Sequence, residues 1–232
     1  MLKASGLPAP GGSEILATQM ERKASASVKH SSLPLGQVQS PNQKIMEAAL
    51  SLFQERGFYG TSLRDISARS GMSVSHLYYY FPSKASVLKE LMSQISHDLI
   101  AVLEKAEAEA GDPPTQRLKA LVQAQVLFHS RRQAEAFVGR SELRSLEGDD
   151  RTEIIILYDR VSSMFAKAIS DGVKQGEFVC PFVSEATKAI ITMCNGVSTW
   201  YRPEGRLTPK AIAQRYVELS LAMVRRKVDN KS

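Results

Sequence analysis

Residues 61–84, TSLRDISARSGMSVSHLYYYFPSK, contain the signals for two short helices, a tight turn and the start of a third helix. Thr61 or Ser62 can cap the first helix, because a hydroxyl oxygen there accepts a backbone N–H bond. Gly71 follows that helix, where a left-handed residue is needed and glycine adopts it without steric cost. Ser73 then caps the second helix. This order is the helix-turn-helix pattern, in which the second helix enters the major groove of DNA.

The second helix divides into an apolar face and a polar face. Its expected apolar contacts are Val74, Leu77, Tyr78 and Phe81. Its outer face carries Ser75, His76, Tyr79 and Tyr80. Such side chains can bond base edges or phosphates and stack on sugars, so this face is the expected DNA-reading surface.

The third helix begins with a cation in an unusual place. Pro82 ends the second helix, Ser83 caps the next one, and Lys84 lies in its first turn. The N-terminus of a helix is already partly positive, so a lysine there suggests a nearby anion such as a DNA phosphate. The predicted DNA-contacting residues are Thr61, Ser62, Arg64, Ser73, Val74, Ser75, His76, Tyr79, Tyr80 and Lys84.

Residues 44–91 resemble the DNA-binding domain of the TetR family of bacterial repressors. The string Gly-x-Ser…Leu-Tyr-x-Tyr-Phe-x-Ser-Lys, at positions 71–84, is specific to that family. Further matching residues are Ala48, Leu52, Phe53, Gly57, Phe58, Thr61, Ile66 and Leu88. The resemblance implies a homodimer that binds a palindromic double-stranded DNA operator. The C-terminal half has no such universal motif, as expected for a family whose ligand domains diverge.

Charge alone leaves DNA binding undecided. The net charge is +6, but residues 41–100 hold six basic and five acidic residues, so the predicted DNA-binding region is nearly neutral. A helical interaction or architectural protein without sequence-specific DNA binding is therefore the alternative. The expected positions of the charges favour DNA binding. Arg64, Lys84 and the helix N-termini near Ser73 and Ser83 would cluster on one side of the predicted DNA-binding domain. Helix N-termini bind phosphate without net charge.

Hydrophobic periodicity predicts an all-α fold of about nine helices. We expect a disordered tail at residues 1–40, a three-helix helix-turn-helix DNA-binding domain at 41–88, and a helical ligand-binding and dimerisation domain at 89–232. The tail is either a basic arm for DNA or, more simply, a passive extension. A long helix from Ser83 to near Gly111 is the only connection between the two domains. Whatever moves its far end must also move the DNA-binding end.

The pattern beyond Pro114 is helical to the end of the chain. A helix through Leu118 and Phe128 is followed by a short one at residues 133–140 and a polar loop at 142–150. A long helix then runs from Ile154 to Gly176. Helices at residues 184–200 and from a Thr208 cap to about residue 226 complete the fold.

The last two helices carry more apolar surface than one core needs. Burial within a single subunit is the alternative to a homodimer made through a four-helix seam. The resemblance favours the homodimer, because TetR relatives dimerise through their last two long helices. A two-fold dimer would present two recognition helices to a palindrome.

An effector site is expected in the C-terminal half, among polar or aromatic residues on otherwise apolar helix faces. Each of them is individually more typical of a core or a surface position. The candidate ligand-binding residues are Phe128, His129, Phe137, Arg140, Met164, Phe165, Asn195 and Trp200. Residues 195–209 resemble a TetR subgroup that regulates fatty-acid and sterol degradation through acyl-CoA thioesters. Arg202 and Arg206 could bind the phosphates of such an effector, pair with Glu204 or Glu218, or stabilise the turn.

Several classes of function are disfavoured by the sequence. No Gly-x-Ser-x-Gly elbow, His-Glu-x-x-His or phosphate loop is present, so we expect no enzyme and no cofactor. The four histidines show no metal-ligand spacing, so no metal site is expected. The apolar runs are far shorter than the ~18 residues that cross a bilayer, and the N-terminus does not resemble a signal peptide. Cys180 and Cys194 fit packed thiols in a reduced cytoplasm.

Overall fold

The computed structural model describes residues 40–224, and within that range nine α-helices and one short 3-10 helix are present, with no strand. The helices are α1 (Pro41–Arg56), α2 (Leu63–Ser70), α3 (Val74–Tyr80), α4 (Lys84–Ala110), α5 (Pro114–Arg131), α6 (Gln133–Ser141), α7 (Gly148–Lys174), α8 (Val183–Trp200) and α9 (Pro209–Val224). The 3-10 helix is Leu143–Ser145. The predicted all-α fold is confirmed, whereas the tail expected at residues 1–40 lies, apart from Ser40, outside the described residues.

Local hydrogen bonds fix the helix-turn-helix as the sequence predicts. Ser62 is the cap of α2: its hydroxyl accepts from the Asp65 N–H at 3.2 Å, and the Asp65 carboxylate accepts from the Ser62 N–H at 2.8 Å. Gly71 adopts the left-handed conformation with φ of 70°. The Ser73 hydroxyl accepts from the His76 N–H at 3.2 Å and caps α3. These bonds satisfy N–H groups that the helices themselves leave unpaired.

A first hydrophobic core, the DNA-side core, joins the helix-turn-helix to the rest of the protein. It contains apolar residues of α1 to α4, with Phe53, Ile66 and Leu77 fully buried. Its remaining members come from beyond the DNA-binding region: Phe128, Val138, Leu146 and Ile154. The three helices of the DNA-binding region therefore pack against residues of α5, α6 and α7.

A second core, the ligand-side core, is built from residues of α4, α5, α7, α8 and α9. It is centred on Phe165 of α7, which is fully buried, and on Leu118 and Leu121 of α5. Leu99 of α4 and Leu157 of α7 contact both cores. The two cores are therefore adjacent and share packing residues along α4 and α7.

The polar stretch at residues 142–150 is more ordered than the sequence predicts. We expected a loop, but the chain forms the 3-10 helix and then starts α7 at Gly148, well before Ile154. Asp149 and Asp150 occupy the first turn of α7, where carboxylates stabilise the positive end of a helix. Lys89 of α4 donates to Asp150 at 3.1 Å and to Glu153 at 2.7 Å, which ties this turn to the long helix.

Gly172 offers a direct test of the packing in the ligand-side core. A Cβ at this position would lie 2.2 Å from Cδ2 of Phe178, whose ring is buried. Gly172→Ala should therefore destabilise the fold by roughly 1–3 kcal/mol, because the ring must shift within a packed core. The free energy of unfolding, measured with urea at fixed protein concentration, checks this.

Gly139→Ala on α6 is the matched control for Gly172→Ala. Its Cβ would meet only the Tyr158 Oη at 3.5 Å, an ordinary contact. Alanine at an unstrained helical position should be neutral or stabilising by up to about 1 kcal/mol. Equal stability changes for the two variants would contradict the packing described at Gly172.

Candidate nucleic-acid interface and effector site

The outer face of α3 is rich in exposed aromatic rings. Tyr79 is 83% exposed and Tyr80 is 42% exposed, and Ser75 is exposed beside them. His76 is half-buried, with its ring centroid 5.1 Å from that of Tyr80. Tyr78, expected to face inward, is instead 53% exposed. Only Leu77 of this helix is fully buried, because a helix this short presents one narrow stripe to the core.

The ten predicted DNA-contacting residues differ in how accessible they are. The exposed members are Ser62, Arg64, Ser73, Ser75, Tyr79 and Tyr80. The half-buried members are Val74, His76 and Lys84. Thr61 is 3% exposed, and its hydroxyl donates to the Gly57 carbonyl at 2.9 Å. The structure thus gives Thr61 a partner inside the protein, since its hydroxyl closes the turn between α1 and α2.

The cations of the helix-turn-helix region divide into paired and unpaired groups. Arg69 of α2 donates to Glu55 of α1 at 2.9 Å, and this hydrogen-bonded pairing lowers the pKa of Glu55 to about 2. Lys44, Arg56 and Arg64 form no ion pair within residues 40–224. Three cations are therefore left to meet phosphates, although the region is nearly neutral in total.

Lys84 has partners that the sequence did not reveal. Its Nζ donates to the Phe58 carbonyl at 2.5 Å and the Thr61 carbonyl at 2.6 Å, and lies 4.1 Å from the centroid of the Phe58 ring. Burial lowers the pKa of Lys84, while Asp65 and Glu142 oppose that shift. Two backbone carbonyl oxygens of the α1–α2 turn are therefore partners of this ammonium, and its contact with a DNA phosphate stays a prediction. Lys84 connects that turn to the start of α4.

A buried polar group lies in the C-terminal half. Gln125 of α5 donates through Nε2 to Oδ1 of Asn195 on α8 at 2.6 Å. His129, one turn after Gln125, is only 7% exposed; neither ring nitrogen makes a hydrogen bond of good geometry among the described residues, although the Asn195 side chain lies near the ring. Burial lowers the pKa of His129 to about 4, with Asn195 opposing the shift. The ring is therefore neutral at pH 7 and retains one donor and one acceptor.

A cleft borders this polar group at Ser198, whose hydroxyl donates to the Asn195 carbonyl at 2.8 Å. It has a volume of about 390 Å³ and lies between α1, α6 and the end of α8. Its lining residues are Gln54, Gln133, Phe137, Arg140, Ser198, Thr199 and Arg202. Gln133 is fixed there by donating to the Tyr201 carbonyl at 2.9 Å. The guanidiniums of Arg140 and Arg202 give this first cleft a positive lining.

The structure brings some of the predicted ligand residues together and separates others. His129 and Asn195 belong to the buried polar group, and Phe137 and Arg140 line the first cleft. Phe128 instead packs in the DNA-side core, and Phe165 fills the centre of the ligand-side core with Met164 at its edge. Trp200 is 47% exposed, with its ring centroid 6.4 Å from that of Tyr216 on α9.

Sequence reasoning missed Gln54, Gln125 and Gln133 as members of this region. Gln125 lies four residues before His129, so both share one helix face, and that spacing was the available signal. Gln54 and Gln133 carried no signal, because the cleft forms only when α1 meets α6.

Other kinds of site find no support in the described part of the chain. No group of three or more His, Cys, Asp or Glu residues between 40 and 224 is arranged to hold a metal ion. None of the described helices combines the length and the apolar character that crossing a membrane needs. Both cysteines are buried, and burial raises the pKa of the Cys194 thiol to about 12. That thiol is unreactive at neutral pH, as expected for a packed residue.

Two family models cover most of the described residues. The family "Bacterial regulatory proteins, tetR family" matches residues 45–91, and "Tetracyclin repressor-like, C-terminal domain" matches residues 111–224. The HTH-type transcriptional repressor KstR2 of Mycobacterium tuberculosis is 27% identical over 188 residues, which is 80% of this chain and 94% of that protein.

Solved structures show the same architecture. A bacterial regulatory protein in the tetR family from Rhodococcus RHA1 has a TM-score of 0.76 at 30% identity, covering 81% of this chain and 98% of that one. AibR, in complex with isovaleryl coenzyme A and operator DNA, has a TM-score of 0.71 at 25% identity, covering 78% and 97%.

The buried His129 predicts a pH dependence of stability. Its pKa is about 4 in the folded protein, against 6.5 for an unperturbed histidine. The unfolded chain therefore binds a proton that the folded chain does not, so stability should fall as pH drops from about 6.5 towards about 4. The full loss from this group is about 3 kcal/mol. Urea unfolding across that pH range measures it.

His129→Gln should flatten this part of the pH profile, because glutamine does not titrate. His97→Gln, at an exposed position of α4, is the matched control and should retain the wild-type decline. A His129→Gln variant that loses stability with acid as steeply as the wild type would contradict the burial of a neutral imidazole.

Proposed function

Because this chain belongs to the TetR family of bacterial regulatory proteins, we propose that it is a ligand-responsive transcriptional repressor that binds a palindromic operator as a homodimer. The observation that carries the proposal is the outer face of α3, where Tyr79 and Ser75 project from a short helix, with capped N-termini on α2, α3 and α4. The protein would act in the cytoplasm, at the nucleoid, and would catalyse no reaction.

The reading of DNA would combine base contacts with phosphate contacts. The hydroxyl and ring of Tyr79 and the hydroxyl of Ser75 are placed to meet base edges in the major groove. Lys44, Arg56 and Arg64 would contact the flanking phosphates, which orient the protein without reading sequence. Lys84 would act indirectly, because it fixes the turn that positions α2 relative to α4.

The proposed dimer would form through α8 and α9. Three large apolar side chains, Trp200, Leu219 and Met223, are each more than two-fifths exposed on these helices. Pairing the two helices with those of a second copy would bury this surface in a four-helix seam. The two-fold axis would place the recognition helices about 34 Å apart, one turn of DNA, or slightly more.

The effector would be a small hydrophobic molecule or an acyl-CoA thioester. AibR carries isovaleryl coenzyme A, and this chain has the same fold with a polar group at His129 next to a positively lined cleft. A neutral imidazole with free hydrogen-bonding capacity suits a buried carbonyl or amide of such a ligand. The effector must bind the operator-released state more tightly, by several kcal/mol for a decisive switch.

The test of this function is a footprint on the DNA that flanks the gene. The wild type should protect a palindrome, and isovaleryl coenzyme A or a longer acyl-CoA should reduce that protection. Tyr79→Ala should weaken operator binding by roughly 1–3 kcal/mol and change the preferred base at one position of each half-site. Fluorescence anisotropy on operator variants measures both effects.

Tyr79→Phe keeps the ring and removes only the hydroxyl, so it separates hydrogen bonding from stacking. Gln94→Ala, exposed on α4 away from α3, is the surface control and should bind like the wild type. A uniform smear with no protected palindrome would instead favour an interaction or architectural protein. Wild-type base preference in Tyr79→Ala would contradict the assignment of the reading face.

A further inference from the structure

A second cleft lies beside the first and is lined by three arginines. It has a volume of about 410 Å³, and its lining residues are Arg140, Ser141, Leu143, Arg144 and Arg151. Arg140 comes from the last turn of α6, Arg144 from the 3-10 helix and Arg151 from the first turns of α7. The ordered segment at residues 142–150, which the sequence pattern predicts as a loop, is what brings these cations together.

No carboxylate oxygen of residues 40–224 lies within ion-pair distance of these three arginines. None of them forms a salt bridge there, whereas Arg69, Arg117, Arg132 and Arg160 each pair with at least one carboxylate. Clustered unpaired cations repel one another, so their proximity is unfavourable unless an anion joins them. The arrangement therefore points to a ligand that is itself multiply negative.

Two of the carboxylates that lie between Arg140 and Arg151 in the chain, Glu142 and Asp150, have other partners. Glu142 is 6% exposed, accepts from the Ser145 hydroxyl at 3.0 Å, and lies close enough to Gly57 that a Cβ there would be 3.6 Å from its Oε1. Asp150 accepts from Lys89 at 3.1 Å. Neither carboxylate is available to the arginines, since Glu142 accepts from Ser145 and lies beside Gly57, and Asp150 is paired with Lys89 of α4.

We propose that this second cleft binds a phosphorylated group, and that in the effector this group is the phosphate-bearing end of a coenzyme A thioester. Planar guanidinium groups bind phosphate oxygens through paired N–H donors, which is the strongest match that a side chain offers to that anion. The identification of the effector rests on the proposed function, whereas the phosphate chemistry rests on the cleft.

The position of Arg140 explains how one ligand can use both clefts. Its side chain lines the first cleft with Phe137 and the second with Arg144, and its charge acts on His129. An elongated molecule can therefore place its phosphates on the second cleft and extend past Phe137 towards the buried polar group. An acyl-CoA has this order of groups, anionic at one end and apolar at the other.

The experiment is isothermal titration calorimetry on the full-length protein with four probes: coenzyme A, dephospho-coenzyme A, pantetheine and inorganic pyrophosphate. Coenzyme A should bind more tightly than dephospho-coenzyme A, and pantetheine most weakly. The double variant R144Q/R151Q should bind coenzyme A roughly a hundredfold more weakly, about tenfold for each lost charge-assisted pair. The double variant K167Q/K174Q removes two positive charges from exposed positions in the C-terminal part of α7 and is the control for a general loss of charge.

The outcomes distinguish a coenzyme A thioester from a free phosphate anion as the ligand. They also distinguish failure of the phosphate site from failure of the repressor function. Pyrophosphate binding that depends on Arg144 and Arg151, without tighter binding of coenzyme A, would support the phosphate site and identify its source as a free anion. No binding of any phosphorylated probe to the wild type, or equal affinities for the wild type and R144Q/R151Q, would overturn the proposal. The ligand-free double variant should still bind the operator. A wild type that binds coenzyme A but protects no operator would count against the repressor function alone.

Discussion

The packing of α4 into two hydrophobic cores is the constraint on which the rest of the structure depends. Val87, Leu88 and Leu91 at its start belong to the DNA-side core, and Ile100 and Leu103 further along belong to the ligand-side core. Protein interiors are close-packed, so such a helix moves between discrete arrangements and does not bend gradually. In the proposed repressor, a rearrangement of the ligand-side core would therefore move the start of α4, which packs beside α3 in the DNA-side core.

A second physical link runs beside α4 and is shorter. Lys84 holds the carbonyls of Phe58 and Thr61, and the Glu142 carboxylate lies against Gly57 in the same turn. Glu142 lies between Arg140 and Arg144 in the chain. The segment that lines the second cleft with arginines therefore also contacts the α1–α2 turn through Glu142. A ligand on that cleft would act on the turn without first altering the apolar interior. In the proposed repressor, α4 and the segment around Glu142 would be the two routes by which a bound effector acts on the helix-turn-helix.

Sequence patterns predicted those features that depend on residues near one another in the chain. The Ser62 and Ser73 caps, the left-handed Gly71 and the start of α4 after Ser83 follow from three- and four-residue spacings, and each is confirmed. The carbonyl partners of Lys84 were not predictable, because every residue has a backbone carbonyl and none is marked in the sequence. A lysine in the first turn of a helix is also what a phosphate contact would require. The Gln125–Asn195 bond joins residues 70 positions apart, and no local pattern announces it. The second cleft was not predictable for a related reason. Its residues lie in a polar stretch whose pattern is typical of a loop, and only the structure shows that α7 begins at Gly148.

In the proposed repressor, effector binding changes the separation of the two recognition helices of a dimer. Ala68, exposed on α2, can be replaced by cysteine and spin-labelled selectively, because Cys180 and Cys194 are buried. Pulsed electron paramagnetic resonance then measures the distance between the two labels with operator DNA and with saturating acyl-CoA. We expect one narrow distance on DNA and a different distance, shifted by several ångströms, once the effector is bound. An identical distance distribution in the two states, with the operator nevertheless released, would contradict it.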